Sequence, residues 1–340
     1  VHQVRGNLQE ADRQLEESLH ISRQGGYKDS LGQNLVWLSA HAHWQGNAHR
    51  AIQLCQESLA VSREIYDGFN ELLGLAFLCL AHASLGQYGQ AFTVLHEGMM
   101  KAKERDNKFI IGRLTNTLGW LHSEFGAVSQ ALEYDQESME LGRRYRIPNV
   151  EISALLNLGL DYFALGQHAR ALSYLEPTLG RIEREAFGAH RWRWKVRLFI
   201  ELAELSYAAG AYEQALRYVE AGLHEAHTTS SQKYVAKGWA LRGKAMAQLG
   251  QRDVAGAEFR RALALAEQLS NPALISPLAY ELGQWYEAVG QEQEAAALYT
   301  QAKVTIDHMA TTIEDAALRT TFLQSALVQA VYEGATRLSV

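Results

Sequence analysis

Proline occurs four times and cysteine twice in these 340 residues. A chain so poor in proline permits long helices almost everywhere, since proline removes a helical hydrogen bond and clashes with the preceding turn. The two cysteines, Cys55 and Cys79, sit in apolar helical patterns and make no disulfide framework; they point to a reducing, cytoplasmic setting. No apolar run approaches the roughly 18 residues that span a bilayer. There is no surplus of positive charge either. The formal net charge is −6, which disfavours a general nucleic-acid binder, because phosphate binding needs a basic surface. Also missing are a Gly-x-x-x-x-Gly-Lys-Ser/Thr phosphate loop, a His-Glu-x-x-His zinc motif and a nucleophile elbow. The sequence thus offers no catalytic residue, metal ligand set or cofactor site, and a non-enzymatic protein is expected.

Hydrophobic residues make up 47% of the chain, enough for a continuous core. Length alone suggests two or three domains, but internal repeats override that prior. Glycines stand at Gly6, Gly46, Gly86, Gly126, Gly166, Gly210, Gly250 and Gly290, in steps of 40 residues with a single step of 44. Five residues after each comes alanine: Ala11, Ala51, Ala91, Ala131, Ala171, Ala215, Ala255 and Ala295. Seven further on comes a small residue: Ser18, Ser58, Gly98, Ser138, Thr178, Gly222, Ala262 and Ala302. Seven before the turn stands another: Ser39, Cys79, Gly119, Gly159, Ala203, Gly243 and Gly283.

Each column has a physical reason. The repeating glycine ends one helix in a left-handed backbone that it alone adopts cheaply. The small residues allow close helix contact; a glycine inside a helix costs about 1 kcal/mol against alanine, so four in one column imply crowding. Each unit is read as two antiparallel helices, A before the glycine and B after it. Leu155, Leu158, Tyr162 and Leu165 show the helical spacing in one helix A. Breakers mark the B-to-A connections: Gly25-Gly26, Asp67-Gly68, Asp106-Asn107, Pro148, Gly188, Thr228 to Ser231, and Asn271-Pro272.

These columns resemble the tetratricopeptide repeat, along essentially the whole chain. The resemblance implies an all-α, right-handed superhelical solenoid of antiparallel helix pairs whose A helices line the concave face. The period of about 40 exceeds the usual 34 or so and is similar to that of some signalling scaffolds and bacterial regulators. The aromatic expected early in helix A appears only as Phe199 and Trp239, so a strict-consensus array is not expected. Residues 1–310 are read as the solenoid, a half unit plus seven pairs. Residues 311–340 are read as a C-terminal capping helix, with an apolar stripe of Leu318, Phe322, Leu323, Val328, Val331 and Tyr332. The half unit and the initial Val1 suggest a fragment boundary, with Leu8, Leu15 and Leu19 on an exposed apolar edge. Arg191-Trp192-Arg193-Trp194, Leu202-Ala203-Glu204-Leu205, Leu318-Arg319 and Phe322-Leu323 resemble the C-terminal ends of bacterial multidomain regulators. Those carry an ATPase, cyclase or LuxR-type DNA-binding module upstream.

Positions 13, 10, 9, 6 and 2 before the turn glycine share one face of helix A. That stripe contains Arg113, Asn116, Thr117, Trp120 and Glu124, then Ser153, Leu156, Asn157 and Leu160. It continues through Arg197, Glu201 and Glu204, through Lys237 and Lys244, and through Tyr280, Glu281 and Gln284. Asn157 resembles the groove asparagine that holds a peptide backbone in this family, since its amide donates and accepts together. An ordinary solvated helix face is the competing reading. Arg113, Asn116, Trp120, Asn157, Arg197, Glu201, Glu204, Lys237, Lys244, Tyr280 and Gln284 are therefore the candidate binding residues. Arg181 to Arg197 mixes six basic residues with Trp192 and Trp194. Such a mixture suits phosphate or stacked bases, or else a longer connection whose tryptophans pack on a neighbouring unit. His82 and His122 are expected as packed, hydrogen-bonded histidines, and Glu201 and Glu204 as ion-pairing or ligand-contacting carboxylates.

Two functions remain open. One is a scaffold whose groove binds a protein or peptide, including another domain of its own parent. The other is a sensor that binds a small inducer and controls an upstream module. An open groove would favour the first, and a closed apolar pocket the second.

Overall fold

The computed structural model describes residues 7–184 and 191–338. Gly6 and Gly188, both read as turn residues, lie outside that range. The described residues form seventeen helices and no strand. A single helix α1 (Leu8–Gly25) precedes seven antiparallel pairs. These are α2 (Lys28–Trp44) with α3 (Ala48–Glu64), α4 (Gly68–Ser84) with α5 (Tyr88–Glu104), and α6 (Lys108–Glu124) with α7 (Val128–Arg144). Then come α8 (Pro148–Ala164) with α9 (His168–Arg184), α10 (Arg191–Ala208) with α11 (Tyr212–Thr228), α12 (Gln232–Gln248) with α13 (Arg252–Gln268), and α14 (Pro272–Ala288) with α15 (Glu292–Thr311). Two short helices follow, α16 (Ala316–Leu323) and α17 (Ala326–Arg337).

The turn glycines take left-handed backbones, from Gly86 at φ 66° to Gly46 at φ 88°. The B-to-A connections also turn through a left-handed residue, twenty positions after the glycine, but a side chain usually stands there: Tyr66, Asp106, Arg146, Ser230 and Ser270. The helix that follows is often capped by an asparagine or aspartate. Asp67 accepts from the amides of Phe69 and Asn70, and Asn107 accepts from Ile110. Such caps satisfy amides that the helix leaves open, and they offset part of the strain of a non-glycine left-handed turn. The small columns lie where crowding demands them. A Cβ on Gly159 would come within 2.4 Å of Leu175, and one on Gly283 within 2.6 Å of Tyr299.

Two expectations need correction. Leu8 and Leu19 are buried and Leu15 is half-buried; Leu15 and Leu19 cluster with Leu31, Leu35 and Leu38 of α2. They form no exposed edge, because α2 covers that stripe. The expected single capping helix is two helices, since Ser325 takes an extended backbone (φ −61°, ψ 148°) and starts α17 afresh.

The array winds back on itself. Leu269, Met309 and Ser325 approach the turns at Gly46, Gly86 and Gly126 so closely that an added Cβ would meet them at 2.7, 2.6 and 2.9 Å. Thr312 donates to the Gly86 carbonyl at 2.8 Å and accepts, through its own carbonyl, from the Gly89 amide at 3.1 Å. Phe322 packs against Tyr88 and Phe125, with ring centroids 5.9 and 5.6 Å away. One apolar core therefore joins Val36 to Val331. The A helices face the centre of the array.

Candidate functional site

That centre holds a cavity of about 360 Å³. Its walls come from six A helices, α2, α4, α6, α8, α10 and α12, and from the cap residue Ser231. Five tryptophans line it: Trp37, Trp44, Trp120, Trp192 and Trp194. Trp44 and Trp192 close one side in an edge-to-face contact.

The candidate stripe reaches the cavity in part. Arg113, Asn116, Trp120, Arg197, Glu201, Glu204 and Lys237 all line it, as do Glu124, Ser153 and Leu160. Glu201 is buried and pairs with Arg197. Burial lifts the Glu201 carboxyl to about 7, although Arg197 pulls the other way. Arg197 Nη2 and Glu201 Oε2 are buried with no hydrogen-bond partner among the described residues. Trp120 donates its indole N–H to Glu124 at 3.0 Å.

Asn157, expected in the groove, is not a lining residue. It is only 3% exposed. Its amide donates to the Asn116 carbonyl at 3.0 Å and to Asp135 Oδ1 at 2.7 Å. Asp135, on α7, is fully buried, and a buried carboxylate draws in donors; Asn116 also donates to it, at 3.0 Å. Leu156 lies in the core beside Leu158 and Leu198. Lys244 pairs with Glu281 instead of facing the cavity. Tyr280 packs in a cluster with Tyr299 and Ala335 of α17, and Gln284 donates to its hydroxyl at 3.2 Å. The stripe leaves the cavity at the last unit because the array closes there and α17 packs on α15.

The basic–aromatic segment divides. Trp192 and Trp194 are buried, and Trp194 donates to Ser153 Oγ at 3.0 Å. Arg181 binds Glu151 through both guanidinium nitrogens, at 2.7 and 2.8 Å. Arg193 turns into the cavity. His82 hydrogen-bonds Gln87 at 2.7 Å, and His122 stacks on Tyr134 with centroids 5.2 Å apart.

Several lining residues went unnamed in the candidate stripe. The same spacing applied to the first two units yields Trp37, Trp44, Leu73, Phe77 and Leu80, all on the wall. A further row, seventeen residues before the turn glycine, adds Phe69, Phe109, Asn149, Arg193 and Lys233. It lies about one helical turn beyond position 13, so it continues the same face.

Among the described residues no helix is long and apolar enough to cross a membrane. A tetratricopeptide repeat profile matches residues 152–186. No curated protein sequence matches significantly. Three solved structures share the fold. The Rap conjugation gene regulator of plasmid pLS20, solved with the Phr* peptide, is 16% identical, with a TM-score of 0.67 over 86% of this chain and 78% of that one. A Rap protein solved with competence and sporulation factor is 13% identical, with a TM-score of 0.63 over 91% and 95%. NprR, solved with its cognate peptide NprX, is 16% identical, with a TM-score of 0.59 over 99% of each chain. Repeat columns, helix pairs and these likenesses together give the chain the fold of a tetratricopeptide-type solenoid.

Proposed function

We propose that this array is a non-enzymatic regulatory module that takes a short peptide into its central cavity and serves a larger cytoplasmic signalling protein. The cavity carries this reading. It is walled by A helices from six units and stays partly open, so one ligand touches most of the array and biases how the units sit on one another. Ligands act on such proteins through differential contact with alternative arrangements. Peptide complexes of Rap proteins and NprR on the same fold support the peptide class. Arg113, Asn116, Trp120, Arg197, Glu201, Glu204 and Lys237 would contact the ligand. Aromatic anchors beside charged hydrogen-bonding groups are the usual composition of a binding hot spot.

A small inducer is the second reading. The cavity volume of about 360 Å³ lies near the lower end of the roughly 300–1,000 Å³ typical of small-molecule sites. Tryptophan fluorescence separates the two, because five indoles line the wall. Wild-type chain and Trp120→Ala are titrated with a pool of synthetic peptides of a few residues and with a metabolite set. Peptide hits that quench the wild type, and that Trp120→Ala weakens, support the peptide reading. Hits confined to metabolites favour the inducer. Hits indifferent to Trp120→Ala and Lys237→Ala place the binding surface outside the cavity and overturn both.

A further inference from the structure

The cavity wall carries more positive charge than its ion pairs use. Arg113 of α6, Arg193 of α10 and Lys233 of α12 all line it. Among the described residues, none of the three has a carboxylate within ion-pair distance. Their close partners are aromatic faces instead. Arg113 lies 4.9 Å from the Phe77 ring centre, Arg193 lies 4.9 Å from Trp44 and 5.5 Å from Trp194, and Lys233 lies 5.3 Å from Trp120. The other cavity cations are matched: Arg197 pairs with Glu201, and Lys237 feels Glu204 and Glu124. Lys233 gains only a more distant attraction from Glu124.

We propose that Arg113, Arg193 and Lys233 form a subsite for an oxyanion group, a carboxylate or a phosphate, carried by the ligand of this cavity. The inference rests on the cavity being the binding site. A guanidinium stacked on a ring keeps its N–H edge free, and that edge fits carboxylate and phosphate oxygens in pairs. Arg193 Nε is buried and has no hydrogen-bond partner among the described residues. Burial and the neighbouring Arg113 charge pull Arg193 down to about 9. Burial, and then Lys237, pulls Lys233 down to about 8. Nearby His43 is pushed to about 3 by burial and by Lys233, Arg193 and Arg113. Each group reports the same uncompensated positive field. An oxyanion between them would relieve it, and a neutral ligand would not.

The test uses the full chain at fixed ionic strength, with thermal melts and titration calorimetry. The probes are sodium pyrophosphate, citrate, a tetrapeptide with free acidic groups, and the same tetrapeptide amidated and acetylated. The expected result is that at least one oxyanion probe raises the melting midpoint above a sodium chloride control. Arg113→Met and Arg193→Met should each lower its affinity at least tenfold, and without anion they should melt at or above wild type. Response to pyrophosphate alone assigns phosphate chemistry; response to citrate or the acidic peptide assigns carboxylate chemistry. Lys233→Met supplies the comparison if an arginine variant does not fold. The subsite is overturned if no oxyanion binds, or if binding survives in the folded variants. Cavity binding of the acidic peptide that ignores these substitutions sinks the subsite alone and leaves the cavity reading standing.

Discussion

Trp44 of α2 and Trp192 of α10 meet edge to face, with ring centroids 5.4 Å apart and planes at 88°. They belong to the first and fifth helix pairs, so their contact sets the width of the central cavity on that side. Arg193 lies on the same Trp44 ring. Trp44→Ala should widen the cavity and remove a half-buried indole. The expected loss is about 2–4 kcal/mol in urea unfolding, below or within the range for fully buried aromatics. Any cavity ligand should also bind more weakly. Unchanged stability and affinity would mean that this contact does not hold the wall.

Asn157→Ala should act on stability and not directly on ligand. The side chain ties the Asn116 carbonyl to Asp135, and its loss leaves a fully buried carboxyl oxygen with one donor fewer. A cost of about 1–3 kcal/mol is expected for an unsatisfied buried group. Urea unfolding measures the cost, and calorimetry on the folded variant should return wild-type affinity for a cavity ligand.

Asp135 and Asp161 give stability a pH dependence of definite sign. Both are fully buried. Burial raises both carboxyls, that of Asp161 to about 7, and the Asp161 charge raises Asp135 further. Between the ordinary carboxylate range and neutrality the folded chain holds protons that the unfolded chain has released. Stability from this source is therefore complete below pH 4 and is lost as pH rises toward 7. Glu201 contributes with the same sign. Asp161→Asn should flatten that slope and melt above wild type at pH 8. Melts at pH 5 and pH 8 check it; an unchanged difference between the two would refute the assignment.

Phe322 tests the closure of the array. It is 4% exposed and joins α16 to Tyr88 and Phe125. Phe322→Ala should cost about 3–5 kcal/mol, as for other buried aromatics. Amide exchange should quicken at Gly89, whose N–H is held by the Thr312 carbonyl. Slow exchange there in the variant would show that Thr312 holds the closure without Phe322.

The alternation of helices was legible because the constraints that make it are local. A left-handed turn calls for glycine, and close helix crossing calls for small residues, so both left columns at a fixed period. The inward face was legible for the same reason: positions 13, 9 and 6 before the turn glycine trace one side of a helix wherever they are counted. Arg113, Trp120, Glu201 and Lys237 reached the cavity on that rule. What local pattern could not supply was the curvature. Small rotations between successive units add up over the whole array, and their sum brings Leu269, Met309 and Ser325 onto the turns at Gly46, Gly86 and Gly126, whereas nothing lies within 4 Å of a Cβ on Gly166 or Gly250. The seven turn glycines of the helix pairs look alike in the sequence, yet these three also leave room for the far end of the chain. Closure likewise decided that Tyr280 and Gln284 stay outside the cavity. Asn157 is taken up by Asp135 for a related reason: the need of a buried carboxyl group on the preceding helix is a property of packing. The periodicity of a helix fixes which way a side chain points, and only the assembled superhelix fixes what it meets.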